Sequence, residues 1–133
     1  MNALEQQKPK FDIPLVTTDD FTSSIDVTDR SVTLTLKGSA DIRVMFPLET
    51  MLKSLEREIA RAGIREVVVD MRELEFMNSS CLKTFVTWLG HVQEYDPSEQ
   101  YPIRFLSSPS KHWQARSLAA LSCFAVDLVK IET

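Results

Sequence analysis

The segment VVVDMRELEFMNSSCLKTF, residues 67–85, joins three sequence patterns within a short span. It begins with a β-branched apolar run, Val67 to Val69, which is typical of a strand buried on both faces. A loop is predicted next, and Asn78 then favours a helix N-cap, because its side-chain oxygen can accept from an unpaired amide of the first turn. Apolar residues follow at the three- and four-residue spacing of one helix face: Leu82, Phe85, Val86, Leu89 and Val92. The segment therefore predicts a strand, a loop and a helix.

Two hydroxyls, Ser79 and Ser80, lie at the start of the predicted helix. A helix N-terminus carries a partial positive charge and free amides, and it therefore favours an anion near these hydroxyls. The spacing leaves two interpretations open: solvated residues of the first turn, or an acceptor for a phosphoryl group. A phosphate adds about −1.5 to −2 charges, and Glu73 and Glu75, nearby in sequence, carry charge of the same sign.

The rest of the chain alternates strands and helices. A hairpin is predicted over 21–37, an amphipathic helix over about 44–62 with Pro47 in its first turn, and Gly63 as its C-terminal stop. Beyond about residue 95, the pattern predicts a strand at 103–106, a helix that begins near Ser108 or Ser110, and a last strand at 126–131. Strands separated by helices imply parallel pairing, with functional loops at the carboxyl ends of the strands.

The order of a Val-rich strand, an Asp, Leu-x-Phe-Met, Asn-Ser-Ser and Leu82 resembles the STAS domain, and most of all the bacterial anti-sigma-factor antagonists. The resemblance extends from about Ser24 to Ile131. It implies a single α/β domain of STAS type, with a mixed sheet of four to five strands and helices packed mainly on one face. We expect this domain at residues 21–133, after a flexible N-terminal arm at residues 1–20.

In that family the loop before the helix carries Asp-Ser-Ser/Thr-Gly, and a partner kinase phosphorylates the serine after the Asp. The resemblance therefore implies phosphorylation of Ser79, with Ser80 as the second choice. This chain has Asn78 in place of the Asp and Cys81 in place of the Gly. The implied partners are a serine kinase of the anti-sigma type and a metal-dependent serine phosphatase, in a signalling pathway that regulates transcription by partner switching.

A contact surface for the partner is expected around the acceptor serine. Trp88 lies off the predicted apolar stripe, so it either covers the edge of the core or anchors a partner, as Trp often does at interfaces. The residues proposed for partner contact are Met77, Asn78, Ser80, Cys81, Lys83, Thr84 and Trp88.

Composition narrows the class of protein. The chain has 133 residues and a formal net charge of −4, which favours one domain and argues against a nucleic-acid-binding surface. There is no long apolar run and no signal peptide, so we expect a cytoplasmic protein without membrane insertion. Two cysteines and two histidines give no metal-ligand spacing, and three glycines form no phosphate-binding loop. We therefore expect a non-enzymatic binding module without a cofactor or a metal.

Two alternatives remain open. The first is a constitutive STAS interaction subunit of a larger signalling or transport assembly, without phosphorylation; Asn78 and Cys81 favour it. The second is a small thiol enzyme, in which the helix N-terminus lowers the pKa of Cys81. Cys123, beside Phe124, is expected in the core.

Overall fold

The structure, a computed structural model, describes residues 10–133. The strands and helices of this part of the chain are β1 (Phe21–Val27), β2 (Ser31–Ala40), α1 (Met45–Ala62), β3 (Glu66–Met77), α2 (Ser79–Glu94), β4 (Ile103–Leu106), α3 (His112–Phe124) and β5 (Val129–Glu132). A single 3-10 turn, Ile42–Val44, precedes α1.

The five strands form one mixed sheet in the order β1-β2-β3-β4-β5. β1 and β2 are the antiparallel hairpin that the sequence predicts, and the remaining neighbours are parallel. α1 packs on α2, and α2 on α3. The predicted mixed sheet of four to five strands is therefore confirmed.

Alternate side chains of the central strands form the core. In β2, Val32, Leu34 and Leu36 are buried, whereas Thr33 and Thr35 between them are only half-buried. The same alternation continues in β3 and β4, where the buried side chains are Val67, Val69, Met71, Ile103 and Phe105. One face of the sheet is thus covered by the helices, and the other is partly open.

Two glycines have backbone angles that explain their presence. Gly63 ends α1 in the left-handed conformation, with φ of 69°, as the sequence predicts. Gly38 has φ of 93°, and a Cβ there would lie 2.0 Å from the main-chain oxygen of Asp20. That oxygen accepts from the amide of Ser39, so the chain before β1 packs directly on β2.

β3 is longer than predicted. The sequence places a strand at 66–70 and a loop after it, but β3 continues to Met77 because Lys37–Ala40 of β2 pair with its second half. The pairing is irregular, with register shifts after Thr35 and after Gly38. The Asn78 loop therefore begins directly at the end of a strand.

The C-terminal elements also differ from the prediction. α3 begins at His112, and its N-cap residue, Lys111, makes no side-chain cap hydrogen bond. The hydroxyls of Ser108 and Ser110 bond to each other at 2.9 Å instead of capping the helix. β5 begins at Val129, and Cys123 is exposed.

The predicted flexible arm, 1–20, falls partly outside the described residues, since these begin at 10. Within the described part, Val16 is buried, and its amide donates to the hydroxyl of Ser23 at 2.8 Å. Arg61 donates to the main-chain oxygen of Lys10 at 2.8 Å. Residues 10–20 thus contact the domain.

Candidate functional site

Asn78 joins the end of β3 to the start of α2. Its side-chain oxygen accepts from the amide of Ser80 at 2.7 Å, which is the predicted N-cap hydrogen bond. Its own amide donates to the main-chain oxygen of Ala40, also at 2.7 Å. The helix start is thereby fixed to the ends of two neighbouring parallel strands, the edge where α/β proteins usually carry their functional loops.

Ser79 is the first residue of α2, and its side chain is exposed, whereas Ser80 is half-buried. The first turn of α2 contains no acidic residue. One turn further along the same helix face, Lys83 is exposed. The hydroxyl of Ser79 thus lies at a helix N-terminus, with a lysine on the next turn.

The nearby acidic side chains are paired with cations. Glu73 lies 3.5 Å from the amine of Lys37, and Glu75 lies 3.4 Å from that of Lys111. The hydrogen bonds from Arg43 hold the pKa of the Asp41 carboxyl below its usual value. Glu73 and Glu75, predicted to add like charge near a phosphate, therefore each have a cationic partner.

Cys81 is fully buried, and its sulfur donates to the main-chain oxygen of Asp41 at 3.4 Å. Burial, together with the charge of Asp41, raises the pKa of the Cys81 thiol from 9.0 to about 11. A nucleophilic cysteine needs the opposite shift. The prediction of a lowered pKa for Cys81, which the thiol-enzyme alternative requires, is therefore wrong. The side chain of Cys81 fills space between α2 and the turn before α1.

Four of the residues proposed for partner contact have buried side chains. They are Met77, Cys81, Thr84 and Trp88. Trp88 donates from its indole nitrogen to the hydroxyl of buried Tyr101 at 3.0 Å, so the core alternative holds and the exposed-anchor alternative is wrong. The hydroxyl of Thr84 donates to the main-chain oxygen of Cys81 at 2.6 Å. The accessible members of the proposed surface are Asn78, Ser80 and Lys83, beside Ser79.

Three large apolar side chains on the segments next to Asn78 are exposed, which the sequence analysis did not predict. We call the exposed side chains of Ile42, Phe46 and Phe76 the apolar patch; they are 54%, 70% and 48% exposed. Ile42 and Phe46 follow the end of β2, which bonds to Asn78, and Phe76 lies at the end of β3. The sequence does indicate that Phe46 is exposed, because on a helical projection Phe46 falls outside the apolar stripe of Val44, Leu48 and Met51.

Within residues 10–133, no group of three or more His, Cys, Asp or Glu side chains is arranged to hold a metal ion. In the same part of the chain, no helix is long and apolar enough to cross a membrane.

Comparison with known proteins identifies the fold. No model of a known protein family and no curated protein sequence matches this chain. Among solved structures, an anti-sigma factor antagonist from Mycobacterium paratuberculosis matches with a TM-score of 0.61 and 14% identity, over 87% of this chain and 88% of its own.

Two further structures match similarly. The anti-sigma factor antagonist SpoIIAA in its unphosphorylated form gives a TM-score of 0.58 at 17% identity, over 84% of this chain and 89% of its own. The protein TM1081, solved by NMR, gives 0.58 at 20% identity, over 82% and 79%. The chain thus has the fold of anti-sigma factor antagonists, and the predicted STAS fold is confirmed.

Proposed function

We propose that this chain is a non-enzymatic partner-switching regulator, controlled by reversible phosphorylation of Ser79. The observation that carries the proposal is the position of Ser79: exposed, first in its helix, and adjacent to segments that present the apolar patch. The fold it shares with anti-sigma factor antagonists supports the same role.

The electrostatics of the helix start suit a switch. The amides at the N-terminus of α2 and the amine of Lys83 stabilise a phosphate on Ser79. The same phosphate places about −1.5 to −2 charges beside the apolar patch. A partner that covers this patch with apolar surface loses affinity, because it would have to desolvate the phosphate.

The proposed partners follow from the resemblance to the antagonists. An anti-sigma-type serine kinase binds the unmodified protein and phosphorylates Ser79, and a metal-dependent serine phosphatase restores the hydroxyl. Asn78 caps α2, and Ser80 and Lys83 border the contact. Such a pathway operates in the bacterial cytoplasm.

Asn78 favours a second candidate function, that of a constitutive interaction subunit. Its uncharged amide caps α2 without placing a carboxylate beside Ser79. In this case the apolar patch holds a permanent partner, and no phosphate is added.

One experiment separates the two candidates. The protein is taken from its producing cells in several growth and stress conditions, and fragmentation of the Asn78–Lys83 peptide locates any phosphate. Partner capture is then compared for Ser79→Ala, Ser79→Asp and the matched control Ser80→Ala. The switch predicts phosphate on Ser79, with weakened capture by Ser79→Asp alone.

The apolar patch has its own control. Phe46→Ser should weaken partner capture, whereas Val126→Ser should not, although Val126 is 68% exposed. Val126 precedes β5 and so lies at the opposite end of the parallel strands. An unmodified Ser79 in all conditions, together with loss of capture by Phe46→Ser, would select the constitutive subunit. If Phe46→Ser captures the partner as well as the unsubstituted protein does, the apolar patch is not the docking surface in either candidate function.

A further inference from the structure

A cavity of about 340 Å³ lies between the C-terminal end of α1 and residues 95–101, which follow α2. Its volume is at the lower end of the range for small-molecule sites. Ile59 and Ile64, both buried, supply apolar lining. Gly63 leaves one side open, since a Cβ there would meet no atom within 4 Å.

Two tyrosine rings form part of the lining and are fixed in place. The ring centroids of Tyr95 and Tyr101 are 6.4 Å apart, with 58° between the ring planes. Tyr101 is 3% exposed, and its hydroxyl accepts from the indole of Trp88. The hydroxyl of Tyr95 donates to a carboxylate oxygen of Glu56. Tyr101 is thus fixed in the wall of the cavity, and half-buried Tyr95 offers the more accessible ring.

Two carboxylates act on the ring of Tyr95. Burial raises the pKa of Tyr95, and the carboxylates of Glu56 and Glu99 raise it further. Glu99 also lines the cavity. α1 ends at this cavity, and the last carbonyls of a helix carry a partial negative charge.

Two arginines near the cavity, Arg61 and Arg65, are held by hydrogen bonds to other groups. Arg65, at the cavity, donates to the main-chain oxygen of Gln100 at 3.0 Å. Arg61, in the last turn of α1, pairs with Glu58 at 2.7 Å. The cavity thus combines three groups that attract a positive charge: aromatic rings, a carboxylate and a helix C-terminus.

We propose that this cavity binds a small organic cation, a quaternary or primary amine, between Tyr95, Tyr101 and Glu99. The cation lies mainly against the ring of half-buried Tyr95, and Glu99 neutralises its charge. Ile59 and Ile64 accommodate its apolar part.

The proposed cavity site is separate from the Ser79 site. α2 has 16 residues, so its two ends are about 24 Å apart. Ser79 begins the helix, whereas Tyr95 follows its last residue. The inference therefore does not depend on the proposed function.

The chain contains a built-in reporter for the test. Trp88 and Trp113 are its two tryptophans, and the indole N–H of Trp88 bonds to a cavity residue, Tyr101. Choline is titrated into the uniformly labelled protein while the two indole signals are followed by NMR. Two probes of similar shape serve as controls: neohexanol, the uncharged isostere of choline, and the anion tert-butylacetate.

Saturable movement of the Trp88 signal by choline, with about tenfold weaker binding of neohexanol, is the expected result. Ala60→Leu should abolish the response by filling the cavity, and Glu99→Gln should weaken it about threefold or more. The matched controls Ala119→Leu and Glu75→Gln, both at exposed positions away from the cavity, should leave it unchanged. Tighter binding of tert-butylacetate, equal binding of choline and neohexanol, or an unaltered response of Ala60→Leu would each overturn the proposal.

Discussion

The side-chain amide of Gln114 donates to the main-chain oxygen of Met71 at 2.6 Å, which ties α3 to the strand that leads to Ser79. The same nitrogen donates to the main-chain oxygen of Leu74 at 2.9 Å. Both oxygens lie beyond Asp70, where the pairing of β3 with β4 ends. Gln114 thus replaces the missing strand on that side of β3.

Gln114→Ala should therefore destabilise the protein by about 2–4 kcal/mol. Gln114 is fully buried, and its oxygen also accepts from the amide of Ser108. Its loss leaves main-chain groups without partners and creates a cavity. Urea denaturation measures the change. Arg116→Ala, at an exposed position on the same helix, is the control and should stay within about 0.5 kcal/mol. Equal midpoints for the two variants would contradict the bracing role.

Trp88 and Tyr101 form a second buried pair, and a double-mutant cycle tests it. Trp88→Phe and Tyr101→Phe each remove the hydrogen bond between the indole and the hydroxyl. We expect a coupling energy of about 1 kcal/mol, the net value of a typical hydrogen bond. Strictly additive effects would mean that each group finds another partner.

The sequence predicts the local elements around Ser79 because their signals are local. The Val67–Val69 run marks a strand and Asn78 marks a helix start, and both are found where predicted. The predicted burial of this strand on both faces is wrong, because Val68 is only half-buried. The second half of β3 could not be predicted in this way. Its strand conformation depends on pairing with Lys37–Ala40, more than thirty positions earlier in the chain, and no local pattern records that register.

The face of α2 that packs against the core could not be predicted from the spacing of its apolar residues either. Leu82 and Val86 on one side, and Cys81, Phe85 and Trp88 on the other, are all apolar. Spacing alone does not decide which side faces the core. Packing against α1 and the sheet buries the second set and leaves the first only half-buried. The same ambiguity made Trp88 look accessible.

Cys81 should be unreactive in the folded protein. Burial raises its pKa to about 11, whereas Cys123 is exposed. Iodoacetamide at about pH 8, near the pKa of an ordinary thiol, should modify Cys123 first and Cys81 only after unfolding. Peptide mapping by mass spectrometry measures both rates. Faster alkylation of Cys81 than of Cys123 would restore the thiol-enzyme alternative.

The same pKa shift predicts a pH dependence of stability. Since the thiol loses its proton more readily in the unfolded chain, its contribution to folding is complete below pH 9.0 and declines as pH rises towards about 11. Cys81→Ala should lower that part of the slope, and Cys123→Ala should not. The free energy of unfolding, measured at several pH values across this window, compares the two. An identical slope in Cys81→Ala and the unsubstituted protein would place the thiol in a more solvated environment.

Asn78 allows a last prediction that joins the stability of α2 to the proposed switch at Ser79. Asn78→Ala removes the cap on the amide of Ser80 and should cost about 1 kcal/mol. Asn78→Asp keeps the cap and adds a negative charge at the helix N-terminus, so it should stabilise the protein by about 0.3–1 kcal/mol, a gain that is lost in acid as the carboxyl is protonated. This substitution introduces the Asp that the anti-sigma-factor antagonists carry at this position. The same variant should therefore also be phosphorylated on Ser79 at least as fast as the unsubstituted protein. A more stable Asn78→Asp protein with slower phosphorylation would mean that its kinase selects the uncharged cap. Asn78 would then determine partner choice as well as cap the helix.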